Sequence, residues 1–152
     1  MLLAADSFKE TALAVEAAVR LANGTSSELH VVHVVSTVPY PHYWETEKSE
    51  ALLEWKKLKG LGFLDNLVWR IEEEIGGSVA GSHCRDGTPD KEVVRLGDDI
   101  DAGLIMVGGR RLKWLERIFL AGFSEKVSRR AKCPVLVVGE RGSHGSPVAW
   151  RP

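Results

Sequence analysis

Cysteine is scarce in this chain. Cys84 and Cys133 are the two thiols among 152 residues, too few for a disulfide framework. Their neighbours read as strand edges, where a free cysteine behaves as a small hydrophobe, and a reducing cytoplasm is the expected setting. A long apolar run is missing as well. Met1-Leu-Leu-Ala-Ala-Asp6 carries no basic segment and stops at Asp6, so neither a signal peptide nor a membrane span is expected. Charge of one sign does not accumulate either: the formal net charge is −1, which leaves no global attraction to nucleic acid or an anionic membrane. There is no Gly-x-Ser-x-Gly elbow and no Gly-x-x-x-x-Gly-Lys-[Ser/Thr] loop. The histidines are scattered. His30 and His33, three apart, face opposite sides of a strand, His83-Cys84 is an adjacent pair of poor chelating geometry, and His42 and His144 stand alone. No metal centre is expected.

What remains is an ordinary globular composition of a length that makes one domain, burying roughly 68–70% of its unfolded surface. The domain is expected over 1–140, with a Gly/Ser/Pro-rich tail over 141–152 expected to be mobile. Residues 2–5 read as a first strand. Ser7 and Glu10 form a capping box ahead of a helix whose inner face is Leu13, Ala17 or Ala18, and Leu21, with Gly24 as C-cap. Residues 29–35 are β-branched and apolar almost throughout, as in a parallel strand covered on both faces. Residues 36–45, with Pro39, Pro41, Tyr40, Tyr43 and Trp44, read as a loop. A helical stretch follows from about Glu47 to Ile75, with Leu64, Leu67, Val68, Ile71 and Ile75 inward. Gly60 and Gly62, each costing roughly 1 kcal/mol inside a helix, predict a kink or break. Residues 78–84 give a weak third strand. Thr88-Pro89 opens the next helix, with Thr as N-cap and Pro at the first position, and Val93, Val94 and Ile100 turn inward. Leu104–Val107 is a fourth strand, Ser124–Ala131 a last helix and Val135–Val138 a fifth strand. Strands alternating with helices predict an α/β fold with a parallel sheet and helices on both faces.

The stretch between the fourth and fifth strands is the richest in chemistry. Gly108, Gly109, Arg110, Arg111, Lys113 and Arg117 stand in a basic, glycine-bearing loop at the carboxyl end of a strand, which is where open α/β sheets bind ligands. Backbone without Cβ lets a phosphate approach, the following helix start favours an anion, and guanidinium groups supply counter-charge. Gly122 adds a further amide. Trp114, Ile118 and Phe119 in the same loop can cover a ligand, pack on the core or meet a protein partner. Asp6, at the end of the first strand, can accept hydrogen bonds from a ribose or adenine, or help cap the first helix. Ser124 can meet a phosphate or serve as N-cap. Arg129, Arg130 and Lys132 complement the end of the last helix; without stacking aromatics they make no nucleic-acid patch.

These blocks resemble the universal stress protein family over about residues 2–139. The likeness is carried by Leu-Leu-Ala-Ala-Asp6, Leu29-His-Val-Val-His-Val34, Gly87 before Thr88-Pro89-Asp90, Leu104-Ile-Met-Val-Gly108-Gly-Arg, Ser124-Glu-Lys-Val and Ala131-Lys-Cys-Pro-Val-Leu-Val-Val. The resemblance implies an open, doubly wound, Rossmann-like five-stranded parallel sheet of order 3-2-1-4-5. It also implies a homodimer joined through Val135, Leu136, Val137 and Val138, and ATP, with Mg²⁺, as ligand. Asp6 (ribose or adenine), Val34 (adenine) and Ser124 (phosphate) match the family's ligand positions. Its loop pattern is Gly, two residues, Gly, nine residues, Gly, then Ser or Thr. Here Gly108 matches, Arg111 and Ala121 replace glycines, and Gly122 replaces the hydroxyl residue. Arg111 either blocks the phosphate channel or supplies a bidentate phosphate contact. The expected protein is a cytoplasmic adenine-nucleotide-binding regulatory dimer with no efficient catalysis and at most slow ATP hydrolysis. The alternative is a nucleotide-free dimerisation module that meets a partner at the 110–120 loop. An adenylating ligase would need a Ser-Gly-Gly-x-Asp-Ser-type loop, which Ala5-Asp6-Ser7-Phe8 is not.

Overall fold

Leu2 and Leu3 are neighbours in the chain and both are fully buried, which a strand achieves only when a layer covers each of its faces. The computed structural model describes residues 1–6, 8–37, 50–108 and 122–139, with residues 8–10 by their backbone alone. Five strands, β1 (Leu2–Ala4), β2 (His30–Ser36), β3 (Gly81–Gly87), β4 (Ile105–Gly108) and β5 (Val135–Val138), alternate with four helices, α1 (Phe8–Thr25), α2 (Glu50–Trp69), α3 (Pro89–Asp99) and α4 (Phe123–Arg130). The sheet is parallel throughout, in the order β3-β2-β1-β4-β5. Leu2 lies opposite His30 on one side and Ile105 on the other.

One layer packs Ala14, Val15, Ala18 and Val19 of α1 and Leu64 and Leu67 of α2 on Leu3, Val31 and Met106. The other packs Val93 and Leu96 of α3 and Val127 of α4 on Leu2, Val32 and Val107. Among the described residues no helix is long and apolar enough to cross a membrane.

Several expectations shift in the structure. The inner face of α1 is Ala14, Ala18 and Ala22 with Val15 and Val19, while Leu13 is 44% exposed. Alanines bring the helix close to the sheet and leave Leu13, Ala17 and Leu21 beside the β5 edge. Gly24 is not the C-cap: the helix runs to Thr25, Ser26 takes the left-handed conformation (φ 52°), and the Ser27 N–H reaches back to the Ala22 carbonyl at 3.0 Å.

Gly60 and Gly62 do not break α2, which is continuous through both and runs on as a π-helical turn over Arg70–Ile75. A Cβ on Gly60 would stand 2.9 Å from the His33 ring and 3.2 Å from Val35, so this glycine is where the helix touches the sheet. Gly76 (φ 79°) ends the turn, its N–H bonded to the Ile71 carbonyl. The third strand lies three residues later than its expected position. Residues before 50 in the long helical stretch, Ser7 with its capping box, the 36–45 loop beyond Thr37, and the 141–152 tail lie outside the described residues.

Candidate functional site

Where a sheet of this order changes direction, the chain leaving one strand goes to one face and the chain leaving its neighbour goes to the other, opening a crevice at their carboxyl ends. Here β1 and β4 are those neighbours: β1 leads into α1 in one layer, and β4 is followed by α4 in the other. Asp6 follows β1 and is exposed. Its N–H points to the Thr11 hydroxyl at 3.4 Å, and Thr11 is itself buried, which ties the strand end to the start of α1. The preceding residue is pinned twice. The Ala5 N–H bonds to the Val32 carbonyl at 2.9 Å, and the His33 ring donates from Nδ1 to the Ala5 carbonyl at 3.0 Å. His33 is braced by Phe63, ring centroids 5.1 Å apart, and lies over Gly60. His33 thus positions the backbone beside Asp6. Its spacing to His30 in the sequence raised only the question of a metal.

Gly108 closes β4 opposite Val138. Gly122 is the N-cap of α4 and Ser124 is the second helical residue, so of the two roles open to Ser124 in the sequence the N-cap is not the one it takes. The Lys126 N–H bonds to the Gly122 carbonyl, and helix geometry leaves the amides before it without intrahelical acceptors. Gly122 has φ −60°, a conformation open to any residue, so the backbone does not demand glycine there. Val34 lies on β2, half-buried, at the border of the α3–α4 layer. The structure therefore brings the ends of β1 and β4 and the α4 N-terminus to one edge of the sheet, with Val34 two strands from β4. Gly109, Arg111, Ala121 and the loop residues Trp114, Ile118 and Phe119 lie outside the described residues.

An ion pair locks the α3–α4 layer below this edge. Asp90, in the first turn of α3 and 5% exposed, pairs with Arg130 in the last turn of α4. Each charge sits at the helix end whose dipole it complements. Both thiols are half-buried and free. Burial pushes each above the usual cysteine range; the Asp86 charge adds to this at Cys84 and Lys57 opposes it. At the opposite edge the sequence reasoning missed a pairing: His30 and His83 adjoin across β2 and β3, with nitrogens 3.1 Å apart. Burial, then His30 and Arg85, hold His83 below its ordinary value. Among the described residues no group of three or more His, Cys, Asp or Glu is placed to hold a metal ion.

Residues 1–139 match the model of the universal stress protein family. The chain belongs to this family. The universal stress protein YxiE of Bacillus subtilis is 32% identical over 151 residues, covering 91% of this chain and 97% of that one. Among solved structures, a universal stress protein in complex with cAMP superposes with a TM-score of 0.66 at 20% identity, covering 91% of this chain and 94% of that one. The universal stress protein of Archaeoglobus fulgidus in complex with dAMP superposes with a TM-score of 0.58 at 22% identity, covering 90% and 94%. At such identities the superpositions establish the universal stress protein fold, and their ligands belong to those proteins.

Proposed function

We infer that this universal stress protein is an adenine-nucleotide-binding regulatory dimer. The observation that carries the reading is topological: Asp6 follows β1, Gly108 ends β4, and β1 and β4 are the neighbours whose chains leave to opposite faces, with α4 following β4. Solved relatives of the same fold in complex with cAMP and dAMP support the choice of an adenine nucleotide.

In this reading the Asp6 carboxylate accepts hydrogen bonds from the ribose, Val34 lies against the adenine, and phosphate meets the amides of Gly108 and Gly109 and the α4 start at Gly122 and Ser124. Arg111 supplies counter-charge, and ATP brings Mg²⁺ with its phosphates. The loop has exchanged two glycines and a hydroxyl, so affinity is lower than an unaltered loop would give. In this reading the protein is a regulatory binder with at most slow ATP turnover; among the described residues at this edge none stands out as a general base.

Dimerisation is assigned to β5. It is an edge strand whose Leu136, Val137 and Val138 are half-buried. Beside it Leu13, Ala17, Leu21 and Val138 line an open groove of about 500 Å³. A second copy pairing along this edge covers both. Cytoplasmic residence fits the free, half-buried thiols.

Calorimetric titration of ligand-stripped protein with ATP and Mg²⁺ tests the reading. Saturable micromolar binding, weakened at least tenfold in Asp6→Ala, is expected, about 1.4 kcal/mol. No heat at millimolar ATP overturns it and leaves the loop as a site for a protein partner.

A further inference from the structure

Two imidazoles meet at the amino edge of the sheet, the end opposite the crevice. His30 opens β2, and His83 stands opposite Val32 on β3, so both project from the face that carries α3. His30 Nδ1 and His83 Nε2 are 3.1 Å apart, with ring centroids 5.4 Å apart and planes 20° from parallel. Gly81, opposite His30, permits this approach: a Cβ there would lie 2.5 Å from His30 Nδ1 and 2.9 Å from His83 Nε2. The Glu28 carboxylate lies 3.9 Å from His30 Nε2. It favours the tautomer with the proton on Nε2, which turns the Nδ1 lone pair towards His83. In that state His83 Nε2–H donates to His30 Nδ1.

We propose that His30 and His83 form a two-imidazole site for a first-row divalent cation of the Zn²⁺, Ni²⁺ and Cu²⁺ class. Two nitrogens at about 2.0–2.1 Å from one ion stand about 2.9 Å apart at a right angle and about 3.3 Å apart at the tetrahedral angle; the observed separation falls between. The rings meet nearly head-on, so binding turns them until both lone pairs converge on the ion. Binding needs the His83 proton on Nδ1, so that Nε2 presents its lone pair to the ion. The His30 side chain is 20% exposed, which gives the ion a path from solvent, and water completes its coordination. Imidazole does not suit Mg²⁺ or Ca²⁺.

On this face α3 ends toward the amino edge, and its last turn carries no basic residue, which favours a cation there. Asp99 neutralises Arg85, the cation next along β3 on this face. The bound ion ties the edge strand β3 to β2. The site is independent of the nucleotide reading, since Val34 alone is about 13 Å further along β2.

The test is titration of the full, nucleotide-free chain with Zn²⁺ by calorimetry, with imidazole ¹H–¹⁵N spectra recorded in parallel. One ion is expected to bind, shifting the His30 and His83 ring signals. His30→Gln and His83→Gln should each weaken binding at least tenfold. Gly81→Ala, which keeps both imidazoles but sets a methyl against the two nitrogens, should do the same. The double variant His42→Gln/His144→Gln should bind like the parent, and Mg²⁺ should give no heat. Undiminished Zn²⁺ affinity in His30→Gln and His83→Gln, loss of binding in the His42/His144 variant, or no saturable heat from the parent overturns the proposal. Circular dichroism checks the fold of each variant.

Discussion

The two edges of the sheet are built from the same strands and offer opposite chemistry. At the carboxyl edge, β1 and β4 diverge, a helix begins, and a glycine ends a strand beside an exposed aspartate. Amide N–H groups and a helix start make that edge suited to an anion. At the amino edge helices end, three of the four without a basic residue in the last turn, and two imidazole nitrogens face each other over a glycine. In a parallel α/β sheet every crossover helix begins at one edge and finishes at the other. Polarity along the strands is thus a property of the fold, and side chains choose which ligand each edge takes.

The largest expected effect is on what the edges share. Ile71→Ala empties a fully buried position in the α1–α2 layer, and urea denaturation should show a loss of about 2–5 kcal/mol. Arg130→Met should cost less, about 1–3 kcal/mol. It leaves the Asp90 carboxylate buried without its partner, an effect reduced below the fully buried case because the Arg130 side chain is 48% exposed. The expected cost falls on the α3–α4 layer, seen as loss of amide protection in α4 before α1. Asp6→Ala weights function over fold: Asp6 is exposed, so stability should fall by at most about 1 kcal/mol, the scale of a helix cap, while ATP affinity falls about tenfold.

The smallest effect concerns the thiols. Burial raises both above the usual cysteine range, so the thiolate fraction at neutral pH lies below that of an exposed cysteine. Alkylation by iodoacetamide should be slower than for a free thiol at pH 7.5 and should climb at higher pH than it does for glutathione. A rate matching glutathione across that range contradicts this assignment.

Much of this arrangement was legible in the sequence where one element carries its own signal. Thr88-Pro89 marks the start of α3, and Val135–Val138 reads as a strand because four apolar residues follow a proline. Local propensity misjudged Gly60 because it counts what glycine costs a helix and not what the helix must approach. The β3 strand was displaced because Gly-Ser-His-Cys-Arg-Asp-Gly, half-exposed at a sheet edge, carries no alternating apolar pattern. The cap of α4 is not legible by residue type, because Ser124 is the stronger candidate while the chain enters the helix at Gly122. The His30–His83 contact was invisible because a register of parallel strands, not a spacing, joins residues 53 apart.

The comparison between edges reduces to one spectrum. Amide and imidazole resonances of the full chain should be followed while ATP with Mg²⁺ is added. Shifts confined to Asp6, Gly108, Gly122, Ser124 and their neighbours, with His30 and His83 unmoved, are the predicted result. Shifts centred on the α1–β5 groove or the amino edge, or a spectrum that ATP leaves unchanged, would contradict nucleotide binding at the crevice between β1 and β4.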